Sequence, residues 1–137
     1  MTKGIFISIK PKFTKKIETG EKNYEFRKYY PKEKIDVLYV YETTPTSSLK
    51  YIIKLGDIIE YPNKILKDGY GNSDFNNGLK KSKFAYEIKN VDILENPIPL
   101  EILKKEYGFT PPQSYAYDSR YPKLTEKINN SKLKRLI

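Results

Sequence analysis

Residues 20–27 read Gly-Glu-Lys-Asn-Tyr-Glu-Phe-Arg, and three of their four charged side chains, Lys22, Glu25 and Arg27, could form one site. Apolar and charged residues alternate over the second half of this segment, which predicts a strand with one apolar face and one ionic face. Glu25 and Arg27 then share a face, where the carboxylate can orient the guanidinium. An oriented pair of this kind could hydrogen bond to a base edge or a ribose, while Lys22 contacts a phosphate. The alternative is an ordinary salt bridge that closes one end of the fold and adds little stability.

The residue types that are missing exclude several kinds of catalysis. The chain contains no Cys and no His. This composition excludes disulfides, thiolate nucleophiles, His-based proton shuttles and zinc sites built on nitrogen or sulfur ligands. Only carboxylates could hold a metal, no Walker loop or GxGxxG segment is present, and we expect neither a metal nor a cofactor. If the protein is an enzyme, Lys22 and Glu25 are the expected catalytic residues.

The charge distribution indicates a polyanionic partner. The formal net charge of the 137 residues is +9. Residues 1–34 hold 10 basic and 4 acidic residues, residues 120–137 hold 6 and 1, and the middle of the chain holds 10 and 12. If the fold brings the two ends together, they form one positive field suited to RNA or a nucleotide. The alternative is a protein-interaction domain whose lysines reflect an AT-rich coding sequence.

The 13 tyrosines allow two interpretations. Three lie within apolar strand patterns and are expected in the core: Tyr39, Tyr51 and Tyr86. Five flank loops near basic residues, where an exposed ring could stack on a single-stranded base: Tyr29, Tyr30, Tyr41, Tyr115 and Tyr117.

The elements that must position these residues follow from the hydrophobic pattern. Alternation predicts strands at residues 5–9, 22–28, 35–41, 49–61 (with a bulge or turn at Gly56), 84–93 and 113–117. Helical spacing predicts a short helix around residues 13–17 that ends before Gly20. A second helix is predicted from Pro99 to Gly108, and one or two basic helices within residues 122–137. Residues 62–83 are rich in Asn, Gly and Asp and predict a long excursion with one helical turn around Phe75 and Leu79.

This order of elements predicts the fold class. Runs of adjacent strands favour an α+β domain or small barrel, mostly antiparallel, with five or six strands and short flanking helices. We expect a single domain over residues 1–137, with an interior that contains Ile7, Ile9, Val37, Tyr39, Ile53 and Ile88. The chain has no apolar run long enough for a membrane span and no secretory signal pattern, so we expect a soluble cytoplasmic protein with no membrane partner.

Residues 20–27 also fit the pattern G-x-K-x-x-E-x-R, which resembles the signature of the ASCH domain family, a group of PUA-like β-barrels. The resemblance extends to Ser8-Ile9-Lys10-Pro11, Tyr41, Thr44-Pro45 and Pro112-Gln113-Ser114-Tyr115, and so covers most of residues 5–117. Residues 118–137 would then be a basic C-terminal extension. The resemblance implies a barrel cleft that receives RNA or a nucleotide. The binding residues that it implies are Lys10, Gly20, Lys22, Glu25, Arg27, Tyr41, Thr44, Gln113, Ser114 and Tyr115.

The resemblance also implies an enzymatic alternative, a small hydrolase or nuclease acting on RNA or a modified nucleoside. Some ASCH-like proteins hydrolyse amides of modified cytidine with a Thr nucleophile at the acidic position of the motif. This chain has Glu25 there, and a carboxylate is a poor acyl acceptor for that mechanism. Lys22 could still act as a base if its pKa were lowered, with Thr43, Thr44 or Ser114 nearby. A nuclease could use Lys22 and tyrosines to stabilise a phosphate transition state.

Overall fold

The computed structural model describes residues 3–137, which form a curled mixed sheet with short helices around it. The strands are β1 (Gly4–Ile9), β2 (Tyr24–Arg27), β3 (Val37–Glu42), β4 (Ser48–Glu60), β5 (Phe84–Pro99), β6 (Ala116–Tyr117) and β7 (Leu133–Arg135). The helices are α1 (Pro11–Glu18), α2 (Asn72–Asn76), α3 (Leu100–Tyr107) and α4 (Pro122–Asn129), and a 3-10 turn spans Asp118–Arg120. None of the helices within residues 3–137 is long and apolar enough to cross a membrane.

The strand order of the sheet is β2-β5-β4-β3-β1-β6, and β7 pairs with β5 beside this path. The pair β1–β3 is parallel and the other pairs are antiparallel. Register shifts in the long β4–β5 pair, including one between Leu55 and Ile58 that spans Gly56, increase the local twist and bend the sheet. The α+β prediction and the bulge at Gly56 are confirmed. The structure is a half-barrel, open between β2 at one end of the path and β1–β6 at the other.

Apolar side chains pack on both faces of this sheet. One cluster contains Phe6, Val37 and Tyr39 together with apolar residues of α3 and α4. The other contains alternate residues of the same strands, such as Ile7 and Leu38, together with residues of α1 and β5. Of the six residues predicted inside, five are buried and Ile88 is half-buried. Both faces of β1 are therefore buried, as its continuous apolar pattern predicts.

Three predicted boundaries near prolines are corrected. Strand β5 runs through Pro97 to Pro99, because Ser48 and Leu49 of β4 pair with Pro99 and Ile98. Pro99 caps α3 rather than forming its first turn, and Gly108 ends that helix with a φ of 61°. Residues 113–115 are not strand, since β6 pairs with β1 only at Ala116 and Tyr117.

Of the one or two basic helices predicted within residues 122–137, α4 is present, and the alternative with a second helix is wrong because residues 133–135 form β7. This strand occupies the edge of β5 beyond β2, where Asp92 pairs with Arg135 and Leu94 with Leu133. Arg135 Nε donates to Asp92 Oδ1 at 2.6 Å. Leu and Lys favour helices locally, and the available edge of β5 overrides that preference.

The excursion over residues 62–83 packs against β2 and β5. Its helix α2 buries Phe75 against Tyr24, Ile65 and Ala85, whereas Leu79 lies outside the helix and is exposed. Backbone and side-chain hydrogen bonds tie the excursion to the chain just before β2: Tyr70 N donates to Glu21 O, and Asn72 Nδ2 donates to Asn23 Oδ1. The excursion therefore forms part of the surroundings of the motif strand.

Candidate ligand-binding site

A left-handed turn places the motif residues on β2. Gly20 follows α1 with a φ of 81°, a conformation that glycine adopts without the steric cost other residues carry. Lys22 N then donates to Lys16 O at 3.0 Å, and the chain enters β2 two residues later. Gly20 thus acts on the site by directing the chain rather than by touching a ligand.

Glu25 lies between two cations and is almost completely buried. Its Oε1 lies 3.4 Å from Lys22 Nζ, and its Oε2 accepts from Arg27 Nε at 2.9 Å and lies 2.8 Å from Arg27 Nη2. The Lys22 side chain is 5% exposed, and its ammonium also donates to Tyr24 O at 2.7 Å. Burial lowers the pKa of Lys22, an effect that the nearby Glu25 carboxylate partly opposes.

Arg27 bridges the open side of the half-barrel. Its Nη2 donates to Ser8 O of β1 at 3.1 Å, although β1 and β2 share no ladder in the described chain. The Ser8 hydroxyl in turn donates to Pro112 O at 2.8 Å, which holds the segment before β6 against the same place. The guanidinium is therefore fixed from both strands.

A cavity of about 370 Å³ lies in this opening. Its apolar and aromatic lining comes from Ile5, Ile7, Phe26, Tyr86 and Tyr115, and its polar lining from Arg27, Lys28, Tyr29, Ser82, Gln113 and Ser114. An apolar pocket with a few placed polar groups is typical of a small-molecule site. Tyr86 is 1% exposed and donates its hydroxyl to Tyr29 O at 2.6 Å, and burial raises its pKa well above the usual range.

The sequence-predicted residues separate into groups. Arg27, Gln113, Ser114 and Tyr115 line the cavity, although residues 27 and 113 are far apart in sequence. Lys22 and Glu25 lie behind Arg27 and are buried. The ammonium group of Lys22 is therefore not exposed, and the predicted contact of Lys22 with a phosphate is not possible in this conformation.

Three predicted residues lie away from the cavity. Tyr41 is 4% exposed and packs on Phe109, in the apolar cluster that also contains residues of α3 and α4. Lys10 and Thr44 are exposed at the end of the parallel pair β1–β3, where Thr43 N donates to Ile9 O. Among the five tyrosines named as stacking candidates, Tyr29 is 69% exposed, whereas Tyr41 is in the core because residues of β3 alternate between two buried faces.

Sequence reasoning missed several cavity residues. Lys28 directly follows the motif, and its position beside Arg27 was the available signal. Ser82 had none, because only the antiparallel register that pairs Arg27 with Phe84 brings it to the cavity. Phe26 and Tyr86 fit the apolar alternation of their strands, so the pattern gave no sign that they also line a cavity.

A second buried polar cluster lies near α1 and does not line this cavity. Glu42 is 3% exposed and accepts hydrogen bonds from the Thr14 hydroxyl and, at 3.3 Å, from Lys50 Nζ. Burial by itself raises the pKa of Glu42, but the hydrogen bonds and the Lys50 charge outweigh it and leave the pKa below its usual value. Within residues 3–137 no group of three or more His, Cys, Asp or Glu side chains is placed to hold a metal.

The half-barrel with a ligand-sized opening beside a fixed arginine defines the class of this protein as an α+β domain with a cleft in its open side. The chain belongs to the ASCH domain family, whose model matches residues 7–129. The family assignment made from the motif is therefore confirmed, and the match extends beyond residue 117.

Solved structures of similar fold come from the ASCH protein of Zymomonas mobilis. Its crystal structure is 24% identical, covers 94% of this chain and 96% of that one, and superposes with a TM-score of 0.68. A serine-to-alanine variant is 22% identical, covers 94% and 96%, and has a TM-score of 0.67. A tyrosine-to-phenylalanine variant is 23% identical, covers 94% and 99%, and also has a TM-score of 0.67. None of the curated proteins matches this chain.

Proposed function

We propose that this protein binds single-stranded RNA, or a single nucleotide, in the cavity between β1 and β2. The observation that carries the proposal is the Arg27 guanidinium, fixed by Glu25 and Ser8 at the wall of an aromatic-lined cavity. A fixed fork of donors beside aromatic rings matches the two features by which proteins recognise an unpaired base.

Arg27 has donors left for a ligand. Nε and Nη2 are engaged by Glu25 and Ser8, whereas Nη1 makes no hydrogen bond within residues 3–137. Because Arg27 lines the cavity, these remaining N–H groups are available to an acceptor on a base or a ribose. The position of the guanidinium is set before binding, so little side-chain entropy is lost when the contact forms.

The cavity walls supply stacking surfaces. Tyr115 is half-buried, and its ring meets Tyr117 edge-on with centroids 5.5 Å apart. An aromatic ring of this kind can stack on any base, which suits binding with modest sequence preference.

The basic chain ends support a polyanionic ligand. Ile137 Cδ1 lies 3.7 Å from the place where Gly20 would carry a Cβ, so the N-terminal and C-terminal basic segments meet on the fold. Lys132 and Lys134 in the C-terminal segment are exposed, whereas Arg135 is paired with Asp92. Binding to such a surface displaces counterions, so we expect affinity that falls steeply with salt.

The test is the substitution Arg27→Lys, measured by fluorescence anisotropy with labelled single-stranded RNA and by thermal unfolding. Lysine keeps the charge and loses the planar fork, so we expect affinity to fall by about fivefold to a hundredfold, the range of ~1–3 kcal/mol for one bidentate contact. The matched control is Arg120→Lys, an exposed arginine outside the cavity lining, which should keep the parent affinity. Reduced stability with unchanged affinity would instead support the salt-bridge role of Arg27.

A second candidate, hydrolysis of RNA or of an amide on a modified nucleoside, is favoured by one observation. Burial lowers the pKa of Lys22, which brings its amine closer to the neutral form that a general base requires. Lys22 is not among the cavity-lining residues, so a substrate would have to displace Phe26 or Arg27 to reach it. Turnover of RNA or acetylated cytidine by the unmodified protein would promote this candidate over binding.

A further inference from the structure

The excursion places a second set of lysines next to the cavity: Ser82 lines the cavity, and the lysines lie directly before and after Ser82 in the chain. Arg27 pairs with Phe84 in the antiparallel ladder, so the residues after Arg27 run beside the residues before Phe84. Lys28, Tyr29 and Ser82 all line the cavity, and the segment 80–83 contains three lysines. We call this surface the cavity lip, and it consists of Lys28, Tyr29, Lys80, Lys81, Ser82 and Lys83.

Among residues 3–137, the lysines of the cavity lip form no ion pair with an acidic side chain. Within residues 3–137, no carboxylate lies within 4.0 Å of their ammonium groups, whereas Lys67 in the same excursion is paired with Glu87 at 3.0 Å. Lys80 Nζ lies 4.6 Å from the Phe26 ring centroid, and Lys83 Nζ lies 4.7 Å from the Tyr61 centroid. Within the described residues these ammonium groups thus take part in no ion pair. That of Lys80 lies over Phe26, and that of Lys83 lies over Tyr61 and donates to Lys80 O at 3.0 Å.

Tyr29 gives this charged surface an aromatic group. Its side chain is 69% exposed, while its backbone carbonyl accepts a hydrogen bond from the buried Tyr86 hydroxyl at 2.6 Å. Burial of Tyr86 fixes the backbone beneath an exposed ring. An exposed ring among lysines is the combination that tracks a single strand, with the ring stacking on a base and the ammonium groups contacting phosphates.

We propose that the cavity lip binds the nucleotides that flank the one in the cavity, with Tyr29 stacking on a neighbouring base and the lysines contacting the adjoining phosphates. This inference rests on the proposed function and identifies its ligand as a single-stranded RNA segment of several nucleotides rather than a free nucleotide. An acidic peptide would satisfy the lysines but would leave both the aromatic cavity and the Tyr29 ring without a planar partner, so the combined surface favours RNA.

The experiment compares a nucleoside monophosphate with an eight-nucleotide unstructured RNA at several salt concentrations. In the variant Lys81→Gln/Lys83→Gln we expect the negative slope of log affinity against log salt for the RNA to become shallower by about 1.4, at ~0.7 for each lost phosphate contact. The affinity for the monophosphate should stay within twofold of the parent. The matched control is Lys104→Gln/Lys105→Gln, two exposed lysines of α3 on the helix-covered face, which should leave both affinities and the slope unchanged.

Tyr29 provides an independent readout. We expect Tyr29→Ala to weaken RNA binding by at least about fivefold, the lower end of base–aromatic stacking, and Tyr29→Phe to retain the parent affinity because the ring remains.

The proposed function and the cavity lip would be overturned by different results. Parent-like RNA affinity and slope in both the lysine and Tyr29→Ala variants would overturn the cavity lip and leave the cavity proposal intact. If neither the monophosphate nor the RNA binds the parent protein at low salt, the proposed function is overturned. If polyglutamate competes as strongly as RNA, the cavity lip binds any polyanion and its selectivity for RNA is overturned.

Discussion

Replacing Glu25 by Gln tests the buried ion network behind the cavity. The carboxylate is 8% exposed and is the anionic partner of both Lys22 and Arg27, at 3.4 Å and 2.8 Å. Glutamine has nearly the same shape but no charge, so the variant Glu25→Gln leaves two cations close together in a buried place. Removing one partner of a buried ion pair costs ~3–5 kcal/mol, and we expect a destabilisation of this size at pH 7.

The pH dependence of this loss follows from Lys22. Its pKa is already below the usual 10.5 because of burial, and the loss of Glu25 lowers it further. Deprotonation of Lys22 removes one of the two unpaired positive charges in the variant. For a lysine with an ordinary pKa, deprotonation costs about 5 kcal/mol at pH 7 and about 2 kcal/mol at pH 9. Between the lowered pKa and 10.5 the unfolded chain binds more protons than the folded one, so stability rises with pH. The difference in unfolding free energy between parent and variant should therefore become smaller from pH 7 to pH 9.

The assay is chemical denaturation of parent and variant at both pH values. The matched control is Glu87→Gln, a more exposed glutamate paired with Lys67 at 3.0 Å, which should cost ~1 kcal/mol or less at either pH. In the double variant Lys22→Met/Glu25→Gln the narrowing should disappear, because the group that titrates has been removed. A loss below ~1 kcal/mol for Glu25→Gln at pH 7, or a gap that stays constant with pH, would refute the argument that these charges are buried and coupled.

Three further substitutions have expected outcomes. Gly20→Ala should destabilise the protein by ~1 kcal/mol in thermal unfolding, because its φ of 81° disfavours a Cβ; an unchanged Tm would show that the turn can rearrange. Tyr86→Phe removes the hydrogen bond to Tyr29 O and should cost ~1 kcal/mol of stability, whereas a variant as stable as the parent would mean that water replaces the hydroxyl. If the chain ends contact phosphates, Lys132→Gln/Lys134→Gln should make the negative slope of log RNA affinity against log salt shallower by about 1.4. An unchanged slope would mean that the phosphate contacts lie on other surfaces.

The elements nearest the motif were predictable because their patterns are local and strong. Alternation between residues 5 and 9 predicts β1, and Gly20 after an amphipathic turn predicts the end of α1. Glu25 and Arg27 share a strand face with a period of two, and their contact follows from that spacing. Interactions within about seven residues of one another are visible in a single sequence, since backbone geometry alone sets their distances.

The cavity was predictable only in part, because its two sides come from distant segments. Arg27 was expected at the site from the motif and Ser114 from the wider family resemblance, whereas Ser82 and the lysines beside it lie at the end of an excursion with no regular pattern. Tyr41 shows the opposite error: its position before a loop suggests exposure, but β3 is buried on both faces. Burial depends on what packs against each face, which no local pattern specifies.

By itself the sequence determined the strand and helix periods, the motif and the basic charge of both chain ends, since each of these depends on residue type and short spacing. Tertiary structure alone decided that residues 133–135 form a strand, that Lys22 is buried while Lys81 and Lys83 are exposed, and that Arg27 reaches Ser8 across the open side of the half-barrel. The physical reason is that strand pairing and desolvation depend on partners far along the chain. A lysine near a carboxylate in the sequence has the same local pattern whether it is exposed to water or buried by strands from elsewhere in the chain.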